Sequence, residues 1–294
     1  MDSERSRRGT AQPEILPPGA VPIGGVPPQP RGWYPPPEYN SLPPQPRRRH
    51  WASAPATYSL VGINFAVYFF TLWQSHSWSG PTFEGLASFS LLLNGGFVFH
   101  FGQWWRVITA MFVHFGWIHI GANMWCLWNL GLLGEPLLGE FGMIAAYLLT
   151  GLAGNLLSIA FHPLLPQQGG IVSAGASGAV FGIAGVLLML LRSPMLPIPQ
   201  FELKKLRRSV WYFALLNFII DAGIWAAHTR LQIDNMAHLG GFLSGILLGL
   251  PLVPRIGAPR SLFVRRRAMA FAVTAFLLLL FAWGLRAAYA PAGA

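Results

Sequence analysis

The chain has 294 residues, of which 53% are hydrophobic and only 10% charged, with a mean hydropathy of +0.45. A soluble domain carries about 25% charged residues, so the composition excludes an ordinary soluble protein and predicts an all-α polytopic membrane protein. The net charge of +10 gathers beside apolar runs, which makes the lipid bilayer, not nucleic acid, its partner. A lone cysteine, Cys126, rules out an intrachain disulfide and a cysteine-based zinc site.

Residues 1–55 hold 14 of the 25 prolines. Stretches such as VPPQP and YPPPEYN favour polyproline II or disorder over a packed core, and a solvated tail is expected. No apolar h-region stands near residue 1, so no cleavable signal peptide is expected. Arg47, Arg48 and Arg49 precede the first apolar run and fit a cytoplasmic juxtamembrane anchor.

Seven spans are predicted, at about 58–73, 117–133, 143–161, 171–191, 210–228, 235–253 and 268–285. The long segment 74–115 lacks an 18-residue apolar run, mixes Gly, His and Arg with Trp104 and Trp105, and suits an element lying partly in the interface. A GEPLLGEFG turn separates spans two and three. Basic loops follow span four (Arg192, Lys204, Lys205, Arg207, Arg208) and span six (Arg255, Arg260, Arg265, Arg266, Arg267). With the N-terminus inside, both basic loops fall inside, and the outer loops hold only Arg106 and Arg230. That parity puts Ser177, His119 and His238 near the outer ends of three different spans.

Ser177 sits in GGIVSAGASGAVFG, residues 169–182. Its glycines can be read as close helix packing, or the serine as a nucleophile at a helix start where free N–H groups hold an oxyanion. His238 shares a helical face with Gly241 and Gly245, and Gly178 and Gly182 form the matching small-xxx-small pair. Two such helices can bring a hydroxyl to an imidazole, the geometry of a nucleophile and its base. Otherwise His238 serves as an interhelical hydrogen-bonding group. No carboxylate accompanies the pair at this depth, so a dyad is the economical reading. Phe181, four residues after Ser177, can pack on the imidazole. His119 and Asn123, at i and i+4, can both donate towards one point, or hold helices together. His114 lies off that face and is expected to tie down the loop. HEXXH is absent and no acid joins the histidines, so no metal and no cofactor is expected. Asp221, inside span five, keeps a transport path open as another reading.

The segments WWRVITAMFVH (104–114), HIGAN (119–123), LGLLGEPLLG (130–139), GASGAVFG (175–182) and IDNMAHLGGFLSG (233–245) occur in the order of a known family. Together they make the chain resemble the rhomboid intramembrane serine proteases over roughly residues 56–254. The resemblance implies a six-helix catalytic core, with 1–55 as a cytoplasmic tail and 255–294 as a basic loop plus a seventh helix, an addition seen in some members. It implies Ser177 as nucleophile and His238 as base. His119, Asn123 and the Ser177 N–H would hold the oxyanion, and Gly175 would be the first glycine of the GxSG motif. Trp105 and Arg106 match a structural pair of the outer loop, and Glu135 matches a structural acid on the cytoplasmic side. Phe181 stands where the family often has tyrosine, and residues 229–234 match a loop that caps the site. The implied substrates are single-span membrane proteins with a weak helix near the outer face, cut beside small residues. A catalytically silent, membrane-protein-binding relative is the alternative, although such relatives usually lack the Ser or the His. The Arg-over-Lys bias points to a bacterial cytoplasmic membrane.

Overall fold

The computed structural model describes residues 53–82, 85–86, 98–99, 101–161, 173–193, 196, 198–226, 234–253 and 260–289, without the side chains of 220–226 and 260. The proline-rich tail, Ile171 and the expected capping loop before Asp234 lie outside them. Among the described residues every regular element is helical. In chain order they are α1 (Pro55–Gln74), α2 (Arg106–Thr109, continued by a 3-10 turn Ala110–Phe112), α3 (Trp117–Leu138), α4 (Glu140–Phe161), α5 (Ser177–Leu190), α6 (Gln200–Ala226), α7 (Asn235–Gly249, continued by Leu250–Leu252) and α8 (Arg260–Ala288).

Helix α1 starts with Pro55 at its first position, where a missing N–H costs nothing. Its next two N–H groups are taken from outside the helix. Glu135 of α3 accepts from Ala56 N (2.9 Å) through Oε1, and from Thr57 N and Thr57 Oγ1 (both 2.7 Å) through Oε2. One turn earlier, Gly131 leaves the room that Thr57 fills, since a Cβ there would meet the Thr57 side chain. Glu135 is thus a buried carboxylate that caps a neighbouring helix.

The expected turn GEPLLGEFG is mostly helix. The chain runs on through Pro136 to Leu138 and reverses at Gly139 alone, whose φ of +75° favours glycine. The segment from Arg106 to Phe112 is turned 91° from α3, as suits an element that does not continue the span. Tyr147 of α4 ties three parts together: its hydroxyl donates to Met111 O (3.1 Å) and accepts from Asn64 Nδ2 of α1 (3.2 Å). Asn155 of α4 donates to Val107 O (2.7 Å).

Helix α5 is the centre, with every residue from Gly178 to Leu190 buried. It packs backbone to backbone on α7. A Cβ on Gly241 would strike Gly178 O, one on Gly245 would strike Gly182 O, and one on Gly185 would strike Phe242 O. Side-chain-free contact at three successive levels is how helices approach closely in a membrane. Behind them, Gly154 of α4 faces Ala237 O in the same manner.

Several boundaries differ from the sequence reading. Helix α5 begins at Ser177, six residues after the expected start. Residues 173–176 cannot be helical, because Gly175 has φ +123° and its N–H goes to Ala110 O (2.9 Å). Helix α6 starts at Gln200 and α8 at Arg260, so the basic stretches expected in loops form the first turns of helices. Seven helices of 14 or more residues are described. Four of them are long and apolar enough to cross a membrane by themselves, and α3 joined to its bent partner makes a fifth. Helix α5 is too short for that measure, and α6 has four basic residues within its first nine. The expected six-plus-one count is therefore not reached on length and hydropathy alone. The multi-pass membrane character is.

Candidate active site

Ser177 is the first residue of α5 and His238 lies one turn into α7. The glycine contact between the helices sets their spacing, and His238 Nε2 stands 2.7 Å from Ser177 Oγ. Phe181, one turn along from Ser177, stacks on the imidazole with 4.6 Å between ring centroids and 24° between planes. Phe218 of α6 packs against Phe181 at 4.8 Å, and Phe213 at 5.9 Å, both tilted. The ring of His238 is held flat against an apolar stack and meets the hydroxyl at its edge.

The start of α7 is fixed by Asp234. One carboxylate oxygen accepts from Ala237 N (2.9 Å), a standard helix cap. The other accepts from Ser158 Oγ of α4 (2.5 Å). The cap therefore locks the helix that carries His238 to its neighbour. The sequence reading placed Asp234 only at the end of the capping loop 229–234 and gave Ser158 no role. The signal was the run Asp234-x-x-Ala237 at a helix start, which marks an N-cap but says nothing of Ser158.

The approach to Ser177 is pinned from the α2 side. Ala176 N donates to His114 Nε2 (3.4 Å), and His114 Nδ1 lies 3.3 Å from Phe112 O. The two contacts agree on one tautomer, with the proton on Nδ1. His114 thus ties the 113–116 loop to the residues before the serine. With the Gly175 and Ala176 N–H groups engaged, the N–H groups of Ser177, Gly178 and Ala179 follow, which have no acceptor within the helix.

His119 and Asn123 come to the same place from α3. At Gly175 a Cβ would sit 2.8 Å from His119 Nε2 and 3.4 Å from Asn123 Nδ2. Both nitrogens face the bend that Gly175 makes beside Ser177. Phe115 N donates to His119 Nδ1 (3.4 Å), which leaves the ring proton on Nε2, towards Gly175. Asn123 Nδ2 gives one hydrogen to His119 O (3.2 Å) and keeps a second. The Phe115 ring stacks on His119 (5.5 Å, 12°) and His114 meets it edge-on (5.1 Å).

Of the remaining predicted residues, Gly178 and Gly241 form the helix contact described above. Trp105 is exposed and Arg106 buried, with Arg106 Nε donating to Gln103 Oε1 (2.5 Å). Arg106 is the first residue of α2 and Trp105 the residue before it. Glu135 belongs to the cap of α1. The Asp221 side chain lies outside the described residues. Among the described residues no cluster of His, Cys, Asp or Glu is arranged to hold a metal ion.

A hydroxyl against an imidazole, beside a bend lined by an imidazole N–H and an amide, is equipped for acyl transfer. Comparison with known proteins agrees in kind. Rhomboid protease GluP of Bacillus subtilis is 30% identical over 203 residues, 69% of this chain and 36% of that protein. RHOMBOID-like protein 5 of Arabidopsis thaliana is 33% identical over 154 residues, 52% of this chain and 46% of that protein. Rhomboid-like protease 5 of Toxoplasma gondii is 28% identical over 166 residues, 55% of this chain and 18% of that protein. The chain thus spans less than half the length of each of these relatives. The Rhomboid domain model matches residues 101–255, which run from just before α2 to just beyond α7 and hold every residue of the site; with that match, the chain belongs to the rhomboid family.

Proposed function

We propose that this protein is an intramembrane serine endopeptidase that cleaves transmembrane segments of other membrane proteins through a Ser177–His238 dyad. The observation that carries the reading is the 2.7 Å contact between Ser177 Oγ and His238 Nε2. In this mechanism Ser177 Oγ attacks the scissile carbonyl while His238 Nε2 takes its proton. The carbonyl oxygen, now negative, lies in the Gly175 bend and receives hydrogen bonds from His119 Nε2, Asn123 Nδ2 and the Ser177 N–H. His238 then gives the proton to the leaving amine, and an acyl-enzyme on Ser177 remains. Water, deprotonated by the same imidazole, hydrolyses that ester and restores the serine. Gly175 and Gly178 leave space beside the nucleophile for an extended stretch of substrate backbone. Phe181 keeps the imidazole in its plane through both half-reactions.

The substrates are single-span membrane proteins whose helix unwinds readily near the outer face. The enzyme sits in a bacterial cytoplasmic membrane with its N-terminus in the cytoplasm, and α8 adds a seventh crossing to a six-helix core. The test is reconstitution in liposomes with a model single-span substrate. Wild-type protein should release the two fragments, while Ser177→Ala and His238→Ala should each release none above background. A serine-directed fluorophosphonate should label wild type and not Ser177→Ala. Equal cleavage by all three proteins would overturn the reading. Binding of the substrate without cleavage by wild type would instead favour a silent relative.

A further inference from the structure

At the end of α5 opposite Ser177 there is a cavity of about 640 Å³, between α5, α6 and the α7 residue Ile246. Its polar lining is cationic: Arg192 just beyond α5, and Lys204, Arg207 and Arg208 from the first turns of α6. Among the described residues no carboxylate lines it. Four cations around one cavity repel each other and stay favourable only with anions nearby. The rest of the wall is made by Leu188, Met189, Ile246 and the rings of Trp211 and Tyr212. Trp211 and its neighbour Tyr212 are half exposed, and such rings concentrate at headgroup depth.

Height in the membrane narrows the ligand further. Fourteen residues of α5 at 1.5 Å each span about 21 Å, so the cavity lies a helix length away from the site, at the opposite end of the buried centre. An opening with cations at its mouth and apolar walls beneath matches an amphiphile carrying a phosphate. Arg offers a planar fork to phosphate oxygens, and Lys a point charge. Basic pockets between membrane helices bind anionic headgroups for this reason.

We propose that this cavity is a binding site for one anionic phospholipid, with the headgroup phosphate held by Arg192, Lys204, Arg207 and Arg208 and an acyl chain laid along Leu188, Ile246 and Trp211. The site bridges α5 and α6. It is separate from Ser177, and its occupancy does not depend on whether the protein is an active protease.

Native mass spectrometry of the full chain, purified in neutral detergent and offered phosphatidylglycerol or phosphatidylcholine with the same acyl chains, tests this. One phosphatidylglycerol should be retained per chain, at least tenfold more strongly than phosphatidylcholine. The double variant Arg207→Gln/Arg208→Gln should lose at least tenfold of that retention. Lys205→Gln/Arg286→Gln, which removes the same charge outside the cavity, should lose less than twofold. Glycerol phosphate, the charge without the chains, should not displace the lipid at equal concentration. Equal retention of the two lipids, an equal loss in both double variants, or displacement by glycerol phosphate would each overturn the proposal. The lipid comparison on wild type stands even if a variant folds poorly.

Discussion

At the scale of single residues, the site depends on positions that tolerate little. Gly175 has φ +123°, where an L-residue is strained, and its missing Cβ is the space between the backbone and His119 Nε2. Gly175→Ala should therefore abolish cleavage while leaving helix content near wild type, checked by circular dichroism beside the liposome assay. In the proposed mechanism, His119→Ala and Asn123→Ala each remove one donor to the developing oxyanion. Loss of such a donor costs about 10²–10³ in kcat, and KM for the model substrate should change much less. An equal effect on binding would mean that these side chains position substrate instead. The nearness of Ser177, His238, His119 and Asn123 was readable from glycine spacing, helical i and i+4 spacing and span parity, whereas Gly175 entered through the resemblance. The partners that hold these residues were not readable. Asp234 with Ser158, and His114 with the Ala176 N–H, join residues 76 and 62 positions apart. No local pattern encodes such pairings, because they depend on how the helices are packed.

At the scale of elements, the fold is set by glycine faces and by caps lent from one helix to another. Gly241 and Gly245 rest on the backbone of Gly178 and Gly182, so the helix contact and the Ser177–His238 distance are one quantity. Gly245→Val, two turns from the imidazole and outside the reacting groups, should push α7 off α5. Activity should fall by more than tenfold and Tm should drop, measured by thermal unfolding in detergent. A change in Tm without loss of activity would show that the dyad does not rely on this contact. Glu135 serves α1 in another way. Glu135→Ala would leave two buried N–H groups of α1 and the Thr57 hydroxyl without their acceptor, at about 1–3 kcal/mol for each unsatisfied group. The expected result is a large loss of thermal stability, with Glu135→Gln losing less because its carbonyl oxygen still accepts. Helix existence was readable throughout this region, but helix limits were not. Residues 200–209 and 260–267 are too basic to be read as membrane span, yet charged residues can continue a helix beyond the hydrocarbon at little cost. A basic run therefore marks the end of a span and not the end of a helix.

At the scale of the whole molecule, the helices differ sharply in what they touch. Only 6% of the apolar window of α8 is buried, and the helix is moored by few polar contacts. Arg267 Nη1 donates to Leu138 O (2.8 Å), and Tyr289 OH to Ile159 O (2.8 Å). The proposed sidedness of the chain is open to a labelling test. In a Cys126→Ser background, Gln200→Cys should react with an impermeant maleimide only after the cells are opened. Ser79→Cys should react in intact cells. The same accessibility at both positions would refute the inside placement of the basic stretches. The expectation comes from counting lysine and arginine loop by loop. The 91° bend before α3 is not readable in this way, because it depends on where the backbone hydrogen bonds of residues 110–116 go.

Helix α5 has no residue from Gly178 to Leu190 facing outward, which has a consequence for where a substrate is cut. The depth of Ser177 is referenced to the protein's own scaffold and does not follow the thickness of the surrounding lipid. A single-span substrate has no such scaffold and floats with the bilayer. On the proposed function, the protein then acts as a fixed gauge against a moving thread. In a bilayer thicker by about 3 Å, a helical substrate shifted by that full amount presents a bond about two residues away. Fragment masses from vesicles of increasing acyl-chain length should record that displacement, and an unchanged cut would mean that the substrate's sequence alone chooses the bond.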